Sequence, residues 1–450
     1  MLESFFFYFT DPVLRAPTLG CMFMCLAASL VGVLVFLRKQ SLLGESLSHA
    51  AYPGVIFAMV FYSALFPDEI YGDGIAFVVL LGAFFSSLLG LWCIDALENK
   101  LSVKNDSALC FILSVFFGVG ITLASRVQFT HTRLFIQIQG YLYGQVATMV
   151  DFHIFIYAFF ALAVILVIIF LYKELQAINF DRDFAITVGI RAKVIEKVVF
   201  FFLVFSVIVG IRSVGVVLMS AMLIAPATAA RQYTNKFYVM FLLSAFFGVV
   251  SGFFGVYSSV ELSTYLAKRY PMWVVSLPTG PMIVLVAIFI CVLSLLLAPK
   301  KGILLCYFRM GLFRYRCLQE NLLKTIWRFG LEEGLSLREL AKLQSTSRII
   351  VMFALFRLLK QGWICKKKSG YYKLTGDGQQ RAAHIVRLHR LWEVYLVNHL
   401  GFGVERVHRN AEEMEHILTP ELEEELTELL HDPKVDPHFQ PIPSKDVTMP

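Results

Sequence analysis

Apolar and polar positions divide this chain near residue 299: long apolar runs come before it, and charged, amphipathic stretches come after it. Nine runs approach the roughly 20 residues with which a helix crosses a bilayer. They are Thr18–Leu37, Leu47–Phe66, Ile75–Ile94, Ser107–Ser125, Phe152–Tyr172, Val198–Ile211, Val214–Ala230, Phe237–Tyr257 and Met282–Ala298. The sixth and seventh runs are short, so they are either two spans or one broken helix. The pattern predicts an all-α polytopic membrane bundle of about nine transmembrane helices over residues 1–298.

The charges between these runs predict an orientation. Basic loops occur at Arg38–Lys39, Lys100–Lys104, Lys173–Lys197, Arg231–Lys236 and Lys300–Lys301, and an acidic loop occurs at Asp68–Asp73. Because basic loops stay in the cytoplasm, the N-terminus is expected outside the cell. Nine crossings then place the residues after 298 in the cytoplasm, whereas eight break this parity unless one segment is re-entrant. We expect a multi-pass protein of a bacterial inner membrane.

The polar part predicts two small domains after a short junction. Helices are expected at Leu318–Gly330, Leu335–Leu343 and Ser347–Gln361, followed by a hairpin over residues 366–375. This order is typical of a winged helix, which we assign to residues 317–376. A long helix at Gln379–Leu400 opens a helical metal-binding and dimerisation domain over residues 377–450. The basic junction, residues 299–316, contains several candidate cleavage positions.

Composition supports a membrane protein without catalytic machinery of its own. Of the 450 residues, 58% are hydrophobic and only 16% are charged, against about a quarter charged in soluble domains. The eight cysteines form no CxxC pair, so neither a disulfide framework nor a thiolate zinc site is expected. No GxxxxGK[ST] phosphate loop occurs. We also find no nucleophile or catalytic acid beside the candidate ligands, which disfavours a membrane metalloenzyme.

One apolar run contains an acid and a histidine one helical turn apart. Glu45 and His49 share a helix face, and both are ligand types for divalent metals. Charges inside a bilayer usually line a protein interior or a water path. The alternative is that Glu45 lies at the cytoplasmic edge and His49 is a hydrogen-bonded packing residue. Pro53 and Gly54 are expected to bend or break the helix just beyond the pair.

Two stretches of the membrane half resemble the manganese, zinc and iron ABC permease family. GESLSHAAYPG, residues 44–54, is similar to its GDxLSHAxLPG signature, and residues 213–230 are similar to its VGxLLVxALLIxPAATA block. The resemblance implies that Glu45 and His49 lie on a metal path, although the family usually has Asp in the place of Glu45. It also implies a separate ATP-binding subunit, an extracytoplasmic metal-binding protein and a second permease subunit.

A cytoplasmic loop resembles the segment by which such permeases bind their ATPase. The stretch of residues 179–190 predicts a short amphipathic helix that ends at a glycine. The resemblance implies that Asp181, Ala185 and Gly189 mark this docking element. The alternative is an ordinary surface helix.

The winged helix offers few groups for reading DNA. The candidate contacts are Ser345, Thr346, Ser347, Arg348, Arg357 and Lys360 around the presumed recognition helix, and Lys366, Lys367 and Lys368 in the wing. Residues 349–356 between them are all apolar, whereas sequence readout needs polar side chains in the groove. A helix that serves only for packing is the alternative.

The last domain contains clustered histidines and glutamates. His408, Glu412, Glu415 and His416 form a stripe beside an apolar one, and His389 and Glu393 repeat the one-turn spacing. Two facing helices with such pairs can enclose a metal. Oxygen and nitrogen donors without thiolate favour Mn²⁺ or Fe²⁺, with Zn²⁺ as the third candidate. The alternative is a solvated face with incidental histidines.

This region resembles the diphtheria-toxin-repressor family of metal-dependent regulators. The carrying motifs are VHRNAEEMEHIL from residue 407, HRLWE from residue 389 and the DPKVDPHFQPIP turn from residue 432. The resemblance implies a regulatory site of Glu412, Glu415 and His416 and a neighbouring site of His389, Glu393 and His408. Asn321 and Lys324 stand where the family places an N-terminal Met or Asp ligand and a second acid, and Asp436 stands in a Cys place. The family's third domain is expected to be missing.

The joined arrangement resembles the chlamydial permease–repressor fusion. It implies the transmembrane subunit of an ATP-driven Mn, Fe or Zn importer fused to a repressor that binds operator DNA as a homodimer. We expect proteolysis near Lys300–Arg316 to release a cytoplasmic regulator. The competing interpretation is that the C-terminal domain senses cytoplasmic metal and gates transport without binding DNA.

Overall fold

A computed structural model describes most of the chain in two compact units. The described residues are 2–66, 73–270, 277–330, 333–367, 370–403, 407, 411–412, 414, 416 and 419–444. The first unit comprises Met1–Leu305 and the second comprises Cys306–Pro450. Each is treated separately below.

The first unit is entirely helical in its described residues. Its helices are α1 (Leu2–Thr10), α2 (Arg15–Leu37), α3 (Ser41–Leu65), α4 (Asp73–Asn99), α5 (Asn105–Thr130), α6 (Thr132–Tyr143), α7 (Asp151–Phe170), α8 (Tyr172–Phe180), α9 (Arg182–Thr187), α10 (Ala192–Ser213), α11 (Met219–Tyr233), α12 (Phe237–Arg269) and α13 (Thr279–Leu297), with a 3₁₀ turn at Val146–Thr148. Eight of them are long and apolar enough to cross a membrane, namely α2, α3, α4, α5, α7, α10, α12 and α13. The protein is therefore a multi-pass helical membrane protein, as predicted.

Helices α2 and α3 lie at the centre of this unit. The spanning window of α2 is 72% buried and that of α3 is 61% buried, against 28% for α4, α5, α7 and α13. Glycines allow this close packing: a Cβ at Gly32 of α2 would lie 1.8 Å from the backbone oxygen of Leu223 in α11. Likewise, a Cβ at Gly54 of α3 would lie 2.2 Å from the oxygen of Gly82 in α4. Small residues at helix interfaces are typical of membrane bundles.

The seventh predicted span is shorter than a full crossing. Val214–Ala230 was expected to span, but its first five residues are not helical and α11 has only 15 residues. Such a helix is about 22 Å long, less than the roughly 30 Å hydrocarbon core. The backbone at residues 212–216 instead bonds to α6 and the loop after it: Gln145 donates to the Arg212 oxygen at 2.9 Å, and Val216 donates to the Tyr141 oxygen at 3.1 Å. The described residues thus contain eight helices of spanning length rather than nine.

Pro53 does not break the helix, one of the two outcomes predicted for it. Helix α3 continues through Pro53 and Gly54 to Leu65. Because proline has no N–H, the carbonyl of His49, four residues earlier, loses its helical donor. The proline therefore alters the hydrogen bonding of α3 at the candidate path residue without ending the helix.

The second unit has the predicted winged-helix order. Its elements are α14 (Ile303–Phe329, which begins just before the unit), α15 (Leu337–Leu343), α16 (Arg348–Lys360), β1 (Ile364–Lys366), β2 (Tyr372–Leu374), α17 (Gly376–Asn398) and α18 (Pro420–Leu429). The two strands are antiparallel, with Ile364 opposite Leu374. The core lies between α14, α15, α16 and the hairpin, and includes Leu323, Leu340 and Leu355.

Local chemistry explains the start of α15 and the turn after it. The Ser336 hydroxyl accepts the N–H of Glu339, while the Ser336 N–H and hydroxyl donate to the Glu339 carboxylate at 2.8 Å. This capping box supplies partners at the helix N-terminus and lowers the pKa of the Glu339 carboxyl. Ser345 has φ of +47°, so the backbone reverses there between α15 and α16.

The predicted junction, residues 299–316, is largely helical. Helix α14 begins at Ile303 and runs without a break through the positions proposed for cleavage. The side chains over residues 303–314 are exposed. The helix predicted to begin at Leu318 is thus the second half of a longer one.

Candidate functional site

The candidate path residue His49 is buried in the centre of the membrane unit. It is only 7% exposed, and its ring packs edge-on against Phe117 at 4.5 Å between centroids. Its Nδ1 has no hydrogen-bond partner among the described residues. A buried polar atom without a partner costs about 1–3 kcal/mol, which favours a role for this nitrogen beyond packing.

The groups around His49 form a polar segment within an apolar helix. Glu45 is half-buried one turn earlier. The Ser46 hydroxyl donates to the Leu109 oxygen of α5 at 3.0 Å, and the Ser48 hydroxyl donates to the Gly44 oxygen at 2.8 Å. The proline at 53 frees the His49 carbonyl. A carboxylate, an imidazole nitrogen and a carbonyl oxygen are thus available along one turn of α3, and all three are donors for a divalent cation.

The structure brings together the two sequence blocks that carry the permease resemblance. The first lies in α3, and the second covers the end of α10 and most of α11. A Cβ at Gly44 would lie 2.8 Å from Cδ1 of Leu223, so the blocks are in contact. The second block therefore packs beside the Glu45 segment.

The loop expected to bind an ATPase forms a short capped helix. The Asp181 carboxylate accepts the N–H groups of Asp183 and Phe184 at 3.0 Å, which starts α9. Gly189 has φ of +90° and ends the turn. Ala185 is buried against the bundle, whereas Phe184 is 60% exposed. The predicted amphipathic helix with a terminal glycine is confirmed, and its exposed apolar side is a candidate contact surface.

The presumed recognition helix α16 has two apolar faces. Val351, Leu355 and Leu358 are buried in the winged-helix core. Ile349, Phe353 and Phe356 are exposed on the other side, so only one face of the helix packs into the core. The candidate DNA contacts on described residues of α16 and the wing, Arg348, Arg357, Lys360, Lys366 and Lys367, are exposed around this outer face, as are Ser345 and Ser347, while Thr346 is half-buried.

The predicted pair on α17 is in contact. Nε2 of His389 lies 3.2 Å from Oε1 of Glu393, and both side chains are buried. His438 Nε2 approaches the same carboxylate oxygen at 4.0 Å from the turn near the C-terminus. His438 was not predicted as a site residue. Its position in the DPKVDPHFQPIP motif is the signal that could have identified it.

The turn that presents His438 is held by Asp436 and two arginines of α17. The Asp436 carboxylate accepts the N–H groups of His438 and Gln440 at 2.8 Å and lies 3.3 Å from the Arg390 guanidinium. Burial lowers the pKa of Arg390, and Asp436 opposes that shift. Arg387 donates to the Pro443 oxygen at 2.9 Å. Asp436, in the Cys place of the family motif, therefore shapes the turn.

Two residues of the predicted regulatory site, His416 and Glu412, contact α14 through charged pairs. Nδ1 of His416 lies 2.6 Å from Oε2 of Glu320, whose other oxygen lies 3.4 Å from Arg381. Nζ of Lys324 lies 3.8 Å from Glu412. Glu320 was not predicted; it precedes Asn321 and lies one turn before Lys324, which is the signal that could have identified it.

The donor chemistry of this region suits a divalent metal, although a finished cage is not seen. Oδ1 of Asn321 is buried and has no hydrogen-bond partner within the described part of the chain, so an oxygen donor is available beside Glu320. The residues described contain no group of three or more His, Cys, Asp or Glu side chains arranged to hold a metal. The predicted residues His408, Glu415 and Lys368 lie outside the described residues.

These features define the class of protein as a multi-pass helical membrane protein with an attached unit of winged-helix order. The ABC 3 transport family matches residues 10–298, well over half of the chain. The chain belongs to this family. The iron dependent repressor, metal binding and dimerisation domain matches residues 375–444. Both resemblances predicted from the sequence are confirmed, and membership of a transport family supports the prediction that the chain is not itself an enzyme.

Similar proteins share one or both halves. A probable metal transport system membrane protein of Chlamydia trachomatis is 35% identical over 97% of each chain. The manganese transport system membrane protein MntC of Bacillus subtilis is 30% identical over 89% of this chain and 88% of its own. The structure of PsaBC from Streptococcus pneumoniae in complex with Fab gives a TM-score of 0.53 at 25% identity, over 67% of this chain and 98% of that one.

Proposed function

We propose that the membrane unit is the permease of an ATP-driven importer for Mn²⁺ or Fe²⁺, with Zn²⁺ as the third candidate. The observation that supports this most is the buried His49 imidazole beside a carbonyl freed by Pro53 and one turn from Glu45. Carboxylate and imidazole donors without a thiolate suit these divalent metals. MntC of Bacillus subtilis is named for manganese, which supports manganese first.

The partners of this permease follow from what the chain contains. ATP hydrolysis belongs to a separate subunit, which we propose binds the exposed side of α9 around Asp181, Ala185 and Gly189. A second permease subunit and an extracytoplasmic metal-binding protein complete the importer. Substituting Phe184→Asp should prevent co-purification of the ATP-binding subunit, while Phe129→Asp, at an 84% exposed position near the end of α5, should not. Equal loss in both variants would reject α9 as the docking element.

The proposed orientation has the N-terminus outside and the C-terminal unit in the cytoplasm. The loops before α10 and after α11 are both basic, so the positive-inside tendency places both in the cytoplasm. Helices α10 and α11 then run out and back, and the short α11 suffices because the connecting Val214–Val216 is buried inside the protein. Labelling of single cysteines in loops from each side of the membrane tests this arrangement.

We propose that the C-terminal unit senses the imported metal and represses transcription as a homodimer on operator DNA. His389 and Glu393, with His408, would hold one metal, and Glu412, Glu415 and His416, aided by Asn321, would hold the other. Binding at these sites would favour the dimer and so align two winged helices. The support is the contact between His389 and Glu393 within the region matched by a metal-binding and dimerisation domain.

The test is metal-dependent DNA binding by the full chain in detergent. Fluorescence anisotropy of the DNA upstream of its own operon would be measured with Mn²⁺, Fe²⁺ and Zn²⁺. Metal-dependent binding that is lost in Glu412→Ala/His416→Ala supports a corepressor. Tight metal binding without DNA binding would reject the repressor and leave the second candidate, a domain that gates transport directly. The exposed apolar face of α16 favours that second candidate.

Release by proteolysis is a separate proposal. Cleavage near Lys300–Arg316 would free the regulator, but most of this segment is helical, and proteases prefer exposed loops. The first turns of α14 would therefore have to unwind. Immunoblots of cells with an antibody to the C-terminal unit would show a short fragment, and a full-length band alone would remove this step.

A further inference from the structure

The outward face of α16 is apolar although it is exposed. Ile349, Phe353 and Phe356 recur at i, i+4 and i+7 and are 63%, 59% and 68% exposed. Met352 and Ile350 flank them and are each 47% exposed. Contiguous exposed apolar patches on a protein usually mark an interaction site. These side chains are not part of the winged-helix core, because the opposite face of the same helix contributes the core residues.

Cations surround this face. Arg348, Arg357 and Lys360 of α16 are exposed, as are Lys366 and Lys367 after it. The sequence of α16 contains no Asp or Glu. Phenylalanine and isoleucine bordered by lysine and arginine is the composition of helices that lie in the headgroup region of anionic membranes.

DNA fits this surface less well than lipid does. The cations suit phosphates, but base edges in the major groove present donors and acceptors, and apolar side chains can contact only the thymine methyl group. Burying three exposed apolar side chains in the acyl boundary, by contrast, is favourable in itself.

The chain keeps the C-terminal unit at a membrane. The last spanning helix, α13, ends at Leu297, and α14 begins at Ile303. The first turns of α14 show the same chemistry as α16: Tyr307 and Phe308 are 68% and 64% exposed, and arginines follow at 309 and 314. A lipid-binding face on this unit would therefore have its ligand within reach as long as the chain is intact.

We propose that the outer face of α16 binds the anionic surface of the membrane in which the chain is anchored. Lipid and DNA would then compete for one face, and the tethered unit would be held on the bilayer. This goes beyond the proposed function, since it depends on the membrane anchor and on α16 and not on metal sensing.

Photocrosslinking of the full chain in nanodiscs tests the proposal. Phe353 is replaced by the photoreactive benzoylphenylalanine, and the same replacement at Leu429 of α18, which is 51% exposed, is the matched control. Discs contain either phosphatidylglycerol or phosphatidylcholine, and mass spectrometry of the labelled peptide counts lipid adducts. We expect adducts at 353 in phosphatidylglycerol, at least fivefold fewer in phosphatidylcholine, and few at 429 in either.

Charge reversal separates lipid binding from chance contact. Each cation near an anionic surface strengthens binding about fivefold, so Arg357→Glu/Lys360→Glu should reduce the adducts at 353 by tenfold or more. Equal yields at 353 and 429, or equal yields in the two lipids, would overturn the proposal. Crosslinks from 353 to a second copy of the chain in place of lipid would also overturn it and identify a protein interface.

Discussion

Two acid–histidine pairs at the same helical spacing stand in opposite situations. In α17 the imidazole of His389 lies 3.2 Å from the Glu393 carboxylate, and the pair is buried and in contact. In α3 the imidazole of His49 is equally buried, but its Nδ1 has no hydrogen-bond partner among the residues described. Identical spacing therefore does not predict identical sites, because the surroundings decide whether the donors are satisfied before metal arrives.

The difference suits the two proposed tasks. A site that retains its metal benefits from donors held in place by their neighbours. A site that passes its metal on must keep a donor available and release the ion again, which a fully bonded pair would hinder. The unpartnered nitrogen of His49 lowers stability, which favours a role beyond packing.

The largest expected effect comes from removing the α3 imidazole. His49→Leu should reduce metal uptake at least tenfold. It should not lower the thermal stability of the membrane unit, because leucine has a similar volume and lacks the unsatisfied buried nitrogen. Uptake of radioactive Mn²⁺ and the melting temperature of the purified chain would be measured together. His131→Ala, at an exposed histidine between α5 and α6, is the control and should transport normally.

The corresponding change in α17 should affect retention of metal. Glu393→Gln should weaken metal binding by the C-terminal unit by roughly 10–100-fold, as loss of a ligand or its support does at other metal sites. Titration with Mn²⁺ followed by calorimetry measures this. Glu425→Gln, an exposed position on α18, should leave the affinity unchanged, and uptake should persist in both variants. Unchanged affinity in Glu393→Gln would show that the buried pair is structural.

Lys324 tests whether a neighbouring charge weakens metal binding in the C-terminal unit. Its ammonium lies 3.8 Å from Glu412, so a resident cation competes with metal for that carboxylate. Lys324→Met should tighten metal binding about fivefold, the value of a partly exposed ion pair of roughly 1 kcal/mol. Lys342→Met on α15 is the matched control. Weaker binding in Lys324→Met would mean that Lys324 positions Glu412 for the metal.

The smallest effect concerns the turn that presents His438. Lys434 bonds to Asp432 and, with help from Arg387, lowers the pKa of the Asp432 carboxyl. A depressed pKa in the folded state contributes stability above the ordinary value near 3.9, which is lost as the pH falls through the folded pKa. Asp432→Asn should therefore narrow the difference in unfolding free energy between pH 6 and pH 3 by less than about 0.5 kcal/mol, because the pair is exposed. A larger change would indicate that the turn depends on this pair.

Periodicity predicted the elements because each has a strong local signal. The apolar runs, the capping box at Ser336 and the helix–turn–helix–hairpin order all depend on nearby residues. The sequence did not predict the start of α14 or the non-helical residues 214–218 before α11. The start of α14 lies in a charged segment whose sequence is typical of a linker. The backbone before α11 makes long-range hydrogen bonds to residues 141–145.

The sites were predictable in their residues and less so in their contacts. Glu45, His49, His389 and Glu393 follow from spacing within one helix. Glu320 and Arg381 were missed because Glu320 contacts both His416 and Arg381, which lie in segments far apart in the chain. The spacing of residues along one helix does not show which other segments pack against that helix, so such contacts could not be predicted.

The glycines at 32 and 54 have a consequence for how this chain can vary. A Cβ at either position would lie within 2.2 Å of a backbone oxygen of the neighbouring helix. Every amino acid other than glycine has a Cβ. A missense mutation at either codon is therefore accommodated only if the two helices separate. Both positions should be almost free of substitutions in a collection of functional point mutants.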